Sequence, residues 1–219
     1  MTLILVIPFK EGAVIASDGQ VTLGLIKTRA KKIKKLNENC IWGAAGDLPF
    51  IQLVEAGISA LSNNKEEDLP KLRVKLCNLV VECVKKLPPS PQPYSGSFVF
   101  VEYKEDTTHI LNVRENGLSV MLENVPFATG IGEQFAYTLL QKYQDLIPLR
   151  INNKLARILS YKIISETIET ISIGVGPPID IWELPHVKNI TKEELTALEE
   201  TYLALKTEEI EMFLEKGET

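Results

Sequence analysis

The sequence predicts an α+β protein built as a four-layer α-β-β-α sandwich. Three observations carry this. The apolar runs at 2–9 and 13–17 are continuous rather than alternating, as in strands covered on both faces. Strand-like and helix-like segments come in blocks: a run of strands with a helical pair, twice over, then one strand and a last helix. A doubly wound parallel sheet would instead need strand and helix to alternate, which this order does not do.

Residues 2–9 and 13–17 read as a hairpin about Glu11-Gly12, and 20–30 as irregular loop or short strands. Segments 31–37 and 40–44 form another strand pair around the turn residues Asn37-Glu38-Asn39. A helix follows Gly46-Asp47, with Asp47 placed as N-cap and Pro49 in its first turn; its apolar face is Phe50, Leu53, Val54, Ile58 and Leu61, and Asn63-Asn64 closes it. A second helix runs from Asp68, also an N-cap, through Leu72, Leu76, Leu79, Val80 and Val84, until the prolines from Pro88 end it. Strands at 97–103, 108–113 and 118–122 make a meander, with Asn116-Gly117 as a hairpin turn. The glycine-rich stretch from Ala128 to Gly132 opens a third helix over about 133–145, and a fourth covers about 152–170 with Leu155, Ile158, Leu159, Ile163 and Ile164 on one face. Gly174-Val175-Gly176-Pro177-Pro178 is a rigid loop before the last strand, 179–184. Residues 1–184 thus form one domain and 185–219 a helical extension that begins with the capping box Thr191-Lys192-Glu193-Glu194.

Composition bounds the function. Of 219 residues, 45% are hydrophobic and 24% charged, an ordinary globular balance. The net charge is −5, and Lys31-Lys32 with Lys34-Lys35 is the one dense basic cluster, so binding to nucleic acid is not expected. Three cysteines without CxxC spacing and two distant histidines suggest a reducing compartment and no metal site. The first apolar run, about eight residues, is too short for a signal peptide or a membrane span. A cytoplasmic protein without cofactor is expected.

Chemistry concentrates at the N-terminus. Once Met1 is removed, Thr2 carries a hydroxyl and a free α-amine on one residue, a nucleophile with its own base. Such an amine titrates near pH 8, and a neighbouring lysine favours its neutral form. Asp18 ends the partner strand, Lys32 lies on the next one, and Gly46 stands at a strand-to-helix joint where backbone N–H groups face an oxyanion. Asp18-Gly19 also reads as a plain turn, Lys32 as a solvated lysine and Gly46 as a simple joint; their combination is more specific than any one.

The stretches Ser17-Asp18-Gly19-Gln20-Val21-Thr22-Leu23-Gly24, Lys31-Lys32-Ile33 and Gly43-Ala44-Ala45-Gly46-Asp47 resemble the proteasome β-subunit family, nearest its bacterial HslV peptidase branch. The resemblance implies an N-terminal-nucleophile hydrolase that cleaves peptides or unfolded proteins inside a homo-oligomeric ring, with an AAA+ ATPase unfoldase as a partner. ATP use would belong to that partner, since no P-loop motif is present. Carried over, Thr2 is nucleophile and base, Asp18 and Lys32 the charge pair beside it, and Gly46 the oxyanion donor. Ala44 lines a roomy pocket for the residue before the scissile bond, with Ala30 and Thr22 as further substrate-binding positions. Departures lie on the far side. Gly130-Ile131-Gly132 stands where the family has Gly-Ser-Gly, and Thr170 or Ser172, depending on alignment, stands where it has an aspartate. The segment between Asp18 and Lys32 is about two residues shorter than the family's, and residues after Pro185 have no HslV counterpart. A non-catalytic ring or scaffold subunit and an acyl-transferring relative are the alternatives.

Overall fold

The structure, a computed structural model, describes residues 2–23, 26–61, 68–147, 150–171 and 173–217. Expectations placed on Met1, Gly24, Asn63, Asn64 and Ser172 lie outside these, as does the side chain of Leu61.

Two antiparallel sheets face each other. The first has the order β10-β1-β2-β11-β12, from β1 (Leu3–Phe9), β2 (Gly12–Asp18), β10 (Phe127–Gly130), β11 (Ile179–Leu184) and the two-residue β12 (Lys188–Asn189). The second has the order β5-β6-β7-β8-β9, from β5 (Ile33–Lys35), β6 (Cys40–Gly46), β7 (Gly96–Lys104), β8 (Thr107–Arg114) and β9 (Ser119–Glu123). β3 (Gln20–Leu23) and β4 (Ile26–Arg29) make a separate small hairpin. Helices α1 (Leu48–Leu61) and α2 (Leu69–Lys86) cover the second sheet; α3 (Glu133–Gln141), α4 (Asn153–Thr170) and α5 (Lys192–Gly217) belong to the first.

The continuous apolar runs have their explanation in the three cores. Every residue of β1 is buried. Leu3, Leu5, Ile7 and Phe9 pack under α3, α4 and α5, whereas Ile4 and Val6 face the other sheet. β7 divides in the same way, with Phe98 and Phe100 under α1 and α2 and Val99 and Val101 between the sheets. A strand buried on both faces has no polar side to alternate with.

Several expectations are corrected. β5 starts at Ile33 rather than residue 31, because cross-strand pairing begins with Ile33 opposite Gly43. Lys32 therefore lies in the connection before the strand. α3 stops at Gln141 because i→i−3 bonds, from the Lys142 N–H to Leu139 and from the Tyr143 N–H to Leu140, tighten its end. Leu155 is exposed, unlike the rest of its expected face on α4. The two acids expected to cap helices use their carboxylates elsewhere. Asp47 accepts from the Ser95 N–H at 2.8 Å, and Asp68 pairs with Lys104 at 2.6 Å. The N–H of Leu69 at the start of α2 is taken instead by the buried carboxylate of Glu102, at 3.0 Å.

The Thr191–Glu194 capping box forms as read, with reciprocal bonds of 2.7 and 3.2 Å. α5 packs along α4: Leu198 and Tyr202 join the core beneath the first sheet, and Lys206 pairs with Glu169 at 2.6 Å. Arg157 on α4 links Glu183 of β11 to Glu194 of α5. No helix among the described residues is long and apolar enough to cross a membrane. Cys40, Cys77 and Cys83 are free thiols.

Candidate active site

Pairing in the first hairpin places Leu3 beside Asp18, so the end of β2 lies against the start of β1, where Thr2 is buried. Asp18 has no solvent exposure and accepts four hydrogen bonds. Its Oδ1 takes the Leu3 N–H at 2.8 Å and Lys32 Nζ at 2.7 Å; its Oδ2 takes the N–H groups of Gln20 and Gly176, each at 3.1 Å. A carboxylate can be held in a dry site only with such compensation. Lys32 is likewise buried, and burial lowers its pKa below the usual lysine value against the opposing pull of Asp18.

Gly176 was missed by sequence reasoning. Its N–H binds Asp18, and its carbonyl accepts from the N–H groups of Gly19 and Gln20 at 2.9 and 3.0 Å. The rigid Gly-Val-Gly-Pro-Pro loop was the available signal: it clamps the charge pair from the far end of the chain.

Gly46 closes β6 at φ +141°, where a Cβ would overlap the Ser95 carbonyl, so only glycine fits. Gly130 has φ +108°, and a Cβ there would overlap the Thr2 carbonyl. That carbonyl accepts from the Ile131 N–H at 2.8 Å, which ties the chain start to the β10–α3 turn.

Two cavities meet at Thr2, Gly46 and Asp47. One, of about 440 Å³, is lined by Thr22, Ala30, Lys32 and Ala44 together with Trp42 and the facing side of α1. All three expected substrate-binding positions therefore lie on one cavity wall. Sequence reasoning did not find its far end, where Lys34 pairs with Glu55 and lies 5.9 Å over the Trp42 ring. The second cavity, of about 380 Å³, opens on the other side of Thr2, between Ser95, Ser97, Arg114, Thr129, Ile131 and Glu133. Ile131 is half-exposed at this mouth and brings no hydroxyl; Thr170 is exposed at the end of α4.

Three of the four lysines in the basic cluster are paired: Lys32 with Asp18, Lys34 with Glu55 and Lys35 with Glu38. Among the described residues no group of three or more His, Cys, Asp or Glu side chains converges as a metal site.

Solved structures share this architecture over nearly the whole chain. An Anbu mutant from Hyphomicrobium sp. strain MC1 is 15% identical, with TM-score 0.76, over 97% of this chain and 96% of that one. Anbu (ancestral beta-subunit) from Yersinia bercovieri is 11% identical, with TM-score 0.77, over 97% of each chain. At these identities the likeness is one of fold. No curated protein sequence matches the chain. The family model for a proteasome subunit matches residues 2–173, most of the chain; with the paired sheets and outer helices above, this makes the protein a member of the proteasome family.

Proposed function

We propose that the protein is a threonine-type peptidase in which Thr2, freed of Met1, is the nucleophile. The observation that carries this reading is the buried ion pair, at 2.7 Å, between Lys32 and Asp18, which ends β2 beside Thr2. A buried ion pair is expensive to form, and apolar residues of similar volume would often serve a fold as well or better. Its position beside the one residue able to supply hydroxyl and amine together gives the pair a chemical use.

In this reading the Thr2 amine takes the proton of the hydroxyl, and Oγ1 attacks the substrate carbonyl. Lys32 holds positive charge nearby, which favours the neutral amine. The Gly46 N–H receives the oxyanion. The side chain before the scissile bond enters the cavity lined by Ala30, Ala44 and Thr22. The scissile C–N bond breaks as the leaving amine takes the proton from the Thr2 ammonium, and water then releases the acyl group from Thr2.

Peptides or unfolded proteins are the proposed substrates, a homo-oligomeric ring the proposed assembly, and an AAA+ unfoldase a proposed partner, in the cytoplasm. The Asp18-Gly19-Gln20 motif that follows the first hairpin supports an HslV-like peptidase. We keep 1–184 as the catalytic domain and 185–219 as an extension that serves assembly.

A second reading, a non-catalytic subunit of the same fold, is favoured by Ile131, which brings no hydroxyl where the family has a serine, and by Thr170 or Ser172, neither of which is an acid where the family has an aspartate. Peptide hydrolysis by wild type, Thr2→Ser and Thr2→Ala separates the two. The peptidase reading expects turnover in the first two and none in the third; the non-catalytic reading expects none in any.

A further inference from the structure

The inner face of the sandwich is apolar along most of its length. It takes Ile4 and Val6 from β1, Phe127 from β10, Val99 and Val101 from β7, and Ile110 from β8. Two residues further along each strand, at the end that carries the chain start, the alternation brings Thr2, Thr129, Ser97 and Asn112 to that same face. None of these four is more than 5% exposed. Buried hydroxyl and amide groups cost stability unless they are bonded, and three of these bond one another. Thr129 Oγ1 donates to Ser97 Oγ at 2.9 Å across the two sheets, and Ser97 Oγ donates to Asn112 Oδ1 at 2.7 Å.

The direction of this chain of bonds is set by its end. Asn112 Oδ1 only accepts, so Ser97 must give it a proton, and Thr129 must then donate to Ser97. Both hydroxyl protons are committed. Ser97 and Thr129 line the cavity beside Thr2, and toward it they offer lone pairs.

We propose that the Thr129–Ser97–Asn112 relay positions the water that hydrolyses the acyl group from Thr2. This rests on the reading of Thr2 as nucleophile. The water donates one hydrogen bond to the relay and turns its other O–H to the Thr2 amine. Its oxygen bonds to the ester carbonyl carbon while that second proton passes to the amine. The bond from the carbonyl carbon to Thr2 Oγ1 then breaks, and Oγ1 takes the proton from the ammonium. The products are the free acid and regenerated Thr2. All three relay members act through the water and are positioning residues.

The test uses full-length protein and a peptide substrate, with single-turnover acylation, steady-state turnover and the mass of accumulated acyl-enzyme as readouts. Thr129→Val keeps the side-chain shape and removes the hydroxyl. It is expected to leave acylation within about twofold and to slow deacylation about tenfold, the value of one hydrogen bond, so that acyl-enzyme accumulates. Added glycinamide then captures a larger share of the acyl group than in wild type, and Thr129→Ser restores hydrolysis. Should Thr129→Val fail to fold, Ser97→Ala carries the same expectation. Equal loss in both steps, no loss, or no rescue by serine overturns the relay while leaving Thr2 as nucleophile. A wild type that forms no acyl-enzyme overturns both.

Discussion

Replacing Asp18 by asparagine costs more stability than replacing Lys32 by methionine, although each change breaks the same ion pair. The difference follows from the donors around Asp18. After Lys32→Met, the carboxylate keeps the N–H groups of Leu3, Gln20 and Gly176, so what Asp18 loses is one charge-assisted hydrogen bond. That is about 2 kcal/mol. In Asp18→Asn the amide NH2 must face one of two pairs of donors: Leu3 N–H with Lys32 Nζ, or Gln20 N–H with Gly176 N–H. Either orientation opposes donor to donor and takes the Asp18 charge away from the buried Lys32 ammonium. Two donors deprived of the Asp18 acceptor, each worth about 1–3 kcal/mol, put the loss at about 4 kcal/mol or more. For a chain of this size 1 kcal/mol is about 2–4 °C in Tm, so thermal unfolding is expected about 8–16 °C below wild type for Asp18→Asn and about 4–8 °C for Lys32→Met. Equal shifts, or a larger one for Lys32→Met, would refute the reasoning and show that the backbone donors do not converge on Asp18 as described.

Other perturbations have equally definite outcomes. Gly130→Ala forces a Cβ into the Thr2 carbonyl at a φ of +108°, and is expected to destabilise by about 3 kcal/mol or more and to abolish labelling of Thr2, read by urea unfolding and mass spectrometry. Glu102 has its pKa raised above 4.5, chiefly by burial, so the folded state binds its proton more tightly than the unfolded state does. Stability is therefore lost as pH rises from 4.5 through the raised value. Glu102→Gln keeps an acceptor for the Leu69 N–H, and is expected to unfold at higher urea than wild type at pH 7, with the gain vanishing below pH 4.5. Glu194 behaves oppositely. The Thr191 N–H, then Lys188, hold its carboxyl down at about 2, so its contribution is full above 4.5 and fades as pH falls toward 2. Glu194→Ala is expected to cost about 1 kcal/mol at pH 7 and to raise hydrogen exchange first at the start of α5.

The layers were legible in the sequence because burial on two faces removes polar residues from a strand. The near side of the site was legible for a different reason: Thr2, Asp18 and Lys32 lie within one short stretch of chain, so a local motif reports a local cluster. Contacts that cross the fold left no such trace. Gly176 binds Asp18 from 158 positions away, and Glu102 caps α2 from 33 positions away, where the adjacent Asp68 had looked the obvious cap. Thr129 and Ser97 meet across the two sheets, and neither strand taken alone gives its hydroxyl residue a partner. The shorter α3 had a similar origin, since its apolar spacing continues past the point where i→i−3 bonds close the helix.

The central claim is that Thr2 becomes an N-terminal nucleophile once Met1 is removed. The measurement that bears on it most directly is the intact mass of the purified protein before and after exposure to a peptide epoxyketone, a reagent that needs both the hydroxyl and the free amine of an N-terminal threonine. The expected result is a chain lighter by one methionine that takes up one equivalent of reagent at Thr2, with none taken up by Thr2→Ala. A chain that keeps Met1 and gains no adduct would contradict the claim and leave the non-catalytic reading standing.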